Sequence, residues 1–119
     1  MRALDPRRAA REAVAANASR PATAIIDDSP DARLVVFRLA PGQEVPPHRS
    51  ASTVQLTVLE GAGVLSGEEA GAPRERRCDA GDVVVYAPGE LHGMRAERGE
   101  LLLLATITPR PGAPRGGIR

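Results

Sequence analysis

An all-β domain, an antiparallel sandwich or barrel preceded by one short helix, is the fold class this 119-residue chain predicts. Three observations carry the prediction. After Pro21, short apolar or alternating runs recur at intervals of roughly 8 to 12 residues, each run is bounded by turn-forming residues, and no helical periodicity separates them.

The helix comes first. Asp5 can cap it, Pro6 suits its first turn, and alanine dominates the stretch to Asn17. Leu4 and Val14 are its only large apolar residues, so the predicted helix has a thin stripe to bury and docks loosely or frays. Pro21 ends it. Strands are then predicted at Thr23 to Ile26, Arg33 to Leu39, Val54 to Leu59, Val64 to Ser66, Arg74 to Cys78, Val83 to Tyr86, Gly93 to Arg98 and Leu101 to Ile107. Between them lie Asp27-Asp28-Ser29-Pro30-Asp31, Pro41-Gly42, Pro46-Pro47, Ser66-Gly67, Gly71-Ala72-Pro73, Asp79-Ala80-Gly81-Asp82 and Pro88-Gly89, all with turn chemistry. Leu101 to Leu104 is a continuous apolar run whose period is ambiguous; Gly99 before it and Thr106-Ile107-Thr108-Pro109 after it favour a strand covered on both faces. The domain plan is a helical Arg/Ala-rich segment over 1–20, a β domain over 21–108, and a disordered Pro/Gly/Arg tail over 109–119.

Composition narrows the chemistry. With 42% hydrophobic and 26% charged residues the chain can build one core. All sixteen basic residues are Arg, which excludes Schiff-base and lysine-nucleophile catalysis. The net charge of +1 is unevenly distributed: residues 1–20 and 109–119 are basic, whereas residues 21–108 hold thirteen acids against eight Arg. An acidic body with only Phe37 and Tyr86 as aromatics argues against nucleic acid. No apolar run is long enough for a membrane span, and the N-terminal segment lacks a secretory apolar stretch. Cys78 is alone, so a cytoplasmic setting is expected. It reads as a small core residue, and the charged cluster Glu68-Glu69 with Arg74 to Arg77 as a solvated hairpin face.

His48 and His92 are the only histidines, and each follows a Gly/Pro turn. Gly42, five residues, His48, then Gly61, followed by Gly81, Gly89 and His92, resemble the two motifs of the cupin superfamily. The resemblance covers about residues 34 to 108 and implies a small antiparallel β-barrel of jelly-roll topology. It departs from the family at four positions: Ser50 stands at the second His, Val54 at the Glu, Ala87 at the Pro and Ala96 at the Asn. Cupin metal sites use three His and one Glu and hold Fe, Mn, Ni, Zn or Cu. Here the resemblance carries over only His48 and His92 as metal ligands, with Glu44 and Glu90 as the nearest carboxylates to complete a set.

Alternation along strands adds the rest of an expected pocket. If His92 and Val54 point inward, so do Met94 and Ala96 on one strand and Leu56 and Val58 on the other. The expected ligand pocket is therefore His48, Ser50, Val54, Leu56, Val58, His92 and Met94. Three functions remain open: a cupin that binds a small molecule without an intact metal site, a metal-dependent oxygenase or isomerase using His48 and His92, and a dimeric interaction module. As in many cupins a homodimer through sheet edges is expected, with the apolar Leu101 to Ile107 strand as the candidate edge.

Overall fold

The computed structural model describes residues 1–112. Its elements in chain order are α1 (Pro6–Glu12), β1 (Ala22–Asp28), β2 (Arg33–Leu39), β3 (Glu44–His48), β4 (Thr53–Glu69), β5 (Ala72–Asp79), β6 (Val83–Tyr86) and β7 (His92–Thr108). All strand pairs are antiparallel. The sheet runs β1-β2-β7-β4-β5, with β3 added on β7 and β6 on β4, and it curls without closing.

Two long strands organise the fold. The second half of β7 lies between β2 (Phe37 opposite Leu103) and the first half of β4 (Val54 opposite Ile107). The first half of β7 lies between β3 (Val45 opposite Met94) and the second half of β4 (Leu65 opposite Met94). Each of the two strands replaces two predicted shorter ones. The expected breaks near Gly61 and Gly99 are not chain breaks, because the register shifts at Val58/Glu60 and Gly61/Gly63 bend β4 while its ladder continues. Gly61 sits at φ 78°, and a Cβ there would collide with the Glu100 carbonyl oxygen, so only glycine lets β4 and β7 cross this closely. β3 was not expected, since Pro46-Pro47 reads as a turn. On an edge strand, however, the missing N–H groups cost no ladder bond.

Leu101 and Leu103 point into the main core with Leu39, Val58, Leu65 and Cys78, while Leu102 and Val36 point outward beneath α1. The strand is thus covered on both faces. It is also paired on both edges, which corrects its expected role in dimerisation: its backbone groups are already bonded to β2 and β4, and no free edge remains.

Helix α1 is shorter than the predicted stretch to Asn17, and it packs through different residues. The Asp5 side chain accepts from the Arg8 N–H at 3.2 Å, as a cap should. Ala10, not Leu4 or Val14, is fully buried against Val36 and Leu102. Small side chains let the helix backbone approach the sheet, and Arg38 Nη1 then donates to the Ala10 carbonyl at 2.9 Å. At Ala13 the backbone turns extended and the helix stops, because Val14 is exposed and nothing rewards further helix.

Two residues of the expected tail are held: Ser52 Oγ donates to the Pro109 carbonyl at 2.8 Å, and Arg110 Nε lies 3.2 Å from Asp28. Residues 113–119 of that tail lie outside the described residues. Among the described residues no helix is long and apolar enough to cross a membrane.

Candidate functional site

The two histidines meet because of how β3 and β7 pair. His48 is the last residue of β3, His92 the first of β7, and the antiparallel register sets them opposite each other after an irregularity between Val45 and His48. Gly93 makes this approach possible. A Cβ at that position would lie 2.9 Å from Pro47 N and 2.8 Å from Ser66 Oγ, so any side chain would push β3 away. The imidazole centroids are 4.2 Å apart with the rings tilted by 59°. Tyr86 packs beside His92 with ring centroids 5.2 Å apart and the planes tilted by 42°, and its hydroxyl donates to the Ser66 carbonyl at 2.9 Å.

Both rings are oriented by the backbone. His48 Nδ1 is 3.1 Å from the Pro46 carbonyl oxygen, and His92 Nδ1 is 3.2 Å from that of Glu90. A carbonyl oxygen only accepts, so Nδ1 is the donor in both rings, and the neutral form of either leaves its Nε2 lone pair for another partner. Burial pushes the His92 pKa below its usual 6.5; the Glu90 carbonyl opposes this, and the neighbouring His48 adds to it. Burial likewise raises Tyr86 to about 12, so its phenol stays protonated.

The histidines open onto a cavity of about 300 Å³. Six of the seven expected pocket residues line it: His48, Ser50, Val54, Leu56, His92 and Met94. Val58 does not. It follows the same alternation but lies deeper, 1% exposed, packed within the core. Alternation assigns a face of the sheet and not a depth along it. The lining includes residues that sequence reasoning missed, among them Phe37 of β2, Val45 of β3, Ala105 and Ile107 of β7, and Arg49. Arg49 had one available signal, its place between His48 and Ser50. Alternation would turn it outward, but β3 ends at His48 and the rule lapses in the loop that follows.

The donor set does not fit the family's four-ligand metal site. Val54, 3% exposed, fills the carboxylate position with an aliphatic group. Glu90 uses Oε1 to accept from the Ala87 N–H at 2.9 Å, and neither it nor Glu44 lines the cavity. Among the described residues no three His, Cys, Asp or Glu side chains are grouped to hold an ion. Cys78 is buried, its thiol pKa raised first by burial, and it packs within the main core. A more open groove of about 500 Å³ runs past Glu68, Glu69, Arg74, Glu75 and Arg76, on the charged hairpin face, and contains neither histidine.

No family model and no curated protein matches the chain. Solved structures do. An RmlC-like cupin protein from Desulfovibrio desulfuricans is 30% identical, with 82% of this chain and 91% of that one covered and a TM-score of 0.69. A protein from Thermus thermophilus is 28% identical, covering 93% of this chain and 100% of that one at a TM-score of 0.77. A predicted oxalate decarboxylase from Thermotoga maritima is 25% identical, covering 75% and 80% at a TM-score of 0.67. The curled antiparallel sheet, the two glycine-histidine motifs and this likeness over nearly the whole of a known member agree: the chain belongs to the cupin superfamily.

Proposed function

We propose that this cupin-domain protein binds a small, largely apolar molecule in its interior, with His48 and His92 as polar contacts, and that it does so without the family's full metal site. The observation that carries the reading is the composition of the cavity: two backbone-oriented imidazoles beside an aliphatic wall of Val54, Leu56, Met94 and Ile107. Its volume of about 300 Å³ suits a compact ligand. In a neutral ring the Nε2 lone pair can accept a hydrogen bond, which makes each histidine a polar contact at the cavity rim. A catalytic metal centre usually takes three protein ligands, and here Ser50 and Val54 stand where two of the family's would be. The Thermotoga neighbour is named for oxalate decarboxylation. Oxalate has no hydrocarbon part and would leave this wall uncovered, so that activity is not carried over.

The test uses 4-methylpentanamide as a neutral, branched probe followed by ligand-observed NMR. Binding to the wild type at millimolar concentration or below is expected, and Ala105→Phe, which fills the cavity, should abolish it. His48→Ala and His92→Ala should fold with a loss of at most about 1 kcal/mol and weaken the probe. Metal analysis of protein purified without a His tag should find less than about a tenth of an equivalent of Fe, Mn, Ni or Zn. A full equivalent whose removal abolishes binding would overturn the metal-free reading in favour of a metal-dependent oxygenase or isomerase on the same two histidines.

A further inference from the structure

The cavity's ionisable lining contrasts with the acidic composition of the chain around it. Residues 21–108 hold thirteen acids and eight Arg, yet every ionisable side chain lining the cavity is a base: His48, Arg49 and His92. Among the described residues no carboxylate lines it.

Arg49 is held in place at the mouth. Its Nη1 donates to Glu68 Oε1 at 2.6 Å and to the Gly89 carbonyl at 2.8 Å. Glu68 is itself fixed, since the Leu91 N–H donates to the same Oε1 at 3.0 Å. The Arg49 guanidinium holds the Glu68 carboxyl below the usual carboxylate range, so the pair stays charged. Both bonds fall on one nitrogen, and among the described residues the Nε–Nη2 edge makes no hydrogen bond. That edge presents two parallel donors, the pattern that a carboxylate matches with its two oxygens. The Arg49 side chain is 56% exposed, so an anion there keeps part of its hydration while its body enters the cavity.

Resting on the reading of this cavity as a ligand site, we propose that it takes a small aliphatic monocarboxylate, with the carboxylate on the Nε–Nη2 edge of Arg49 and the hydrocarbon against Val54, Leu56 and Met94. Size and charge bound the class. A space of about 300 Å³ corresponds to roughly ten water-sized groups. One guanidinium matches one carboxylate; a second, at the inner end, would be desolvated against aliphatic carbon with no cation beside it. Dicarboxylates are therefore disfavoured.

The experiment compares 4-methylpentanoate with 4-methylpentanamide, equal in shape and different in charge, by calorimetry at low salt on the wild type, Arg49→Gln and Arg49→Lys. The acid should bind the wild type about tenfold or more tighter than the amide, the size of one charge-assisted contact. Arg49→Gln should bring the acid down to the amide's affinity and leave the amide within about twofold, and Arg49→Lys should retain part of the preference. Equal affinity of acid and amide for the wild type would overturn the carboxylate assignment and leave the cavity reading standing. Binding of neither would overturn both. Equal loss of both probes in Arg49→Gln would overturn the pairing with Arg49, making that residue a support of the mouth.

Discussion

The two ends of the curled sheet are built from the same strands and differ in what they leave open. At one end β4 and β7 contribute Val58, Leu101 and Leu103, which pack with Leu39 and Cys78. At the other the same strands contribute Val54, Leu56, Met94 and Ala105, and there a cavity of about 300 Å³ remains. Hydrophobicity is similar at both ends. The difference is volume and closure: one end crosses tightly at Gly61, whereas the other has Ala105 in its wall and two imidazoles at its rim. This chain keeps a cavity by under-filling one end and over-determining the other.

The largest expected effect lies at the crossing. Gly61→Ala sets a Cβ against the Glu100 carbonyl and should cost more than about 3 kcal/mol in denaturant unfolding, if it folds at all. Gly89→Ala is the control. Gly89 also has positive φ, at 83°, but open space around it, so only the backbone conformation is penalised, by about 1 to 2 kcal/mol. Equal losses would remove the crossing as the special feature of the packed end.

Packing itself provides the next contrast. Leu101→Ala opens a new hole in a filled interior and should cost about 3 to 5 kcal/mol, whereas Met94→Ala enlarges a hole already present and should cost about 2. Urea midpoints with unchanged slopes measure both. If Met94→Ala costs as much as Leu101→Ala, the cavity end is packed as tightly as the other.

The smallest effect is electrostatic. Burial disfavours the His92 imidazolium, so the unfolded chain, titrating near 6.5, binds this proton at higher pH than the folded chain does. Stability from this source is complete above pH 6.5 and is lost as pH falls below it toward the folded value. His92→Gln should flatten the pH dependence of stability just below 6.5, measured by thermal unfolding in matched buffers. An unchanged slope would show that the open end contributes nothing to it.

Much of the candidate site's lining was legible residue by residue. The spacing of Gly42, His48, Gly81, Gly89 and His92 pointed to two convergent histidines, and alternation brought Val54, Leu56 and Met94 to the same side. Three features were not legible. Val58 obeyed the alternation and still fell outside the cavity, since depth depends on where the sheet bends. Arg49 lay in a loop, where no periodic rule applies. The docking of α1 through Ala10 was hidden because hydrophobic patterning weighs large side chains, and this contact depends on small ones.

By itself the sequence determined the all-β class, most of the turns though not Ser66-Gly67, which runs inside β4, the cupin likeness and the pair of histidines, because local propensity, alternation and motif spacing are properties of neighbouring residues. Tertiary structure alone decided that Pro46 and Pro47 sit in an edge strand, that Leu101 to Ile107 is central with both edges used, and that Arg49 shares a cavity with His48 and His92. These depend on which distant strands pair and on how closely Gly61 and Gly93 let them approach. Such facts reside in contacts between residues far apart in the chain, and no local pattern records them.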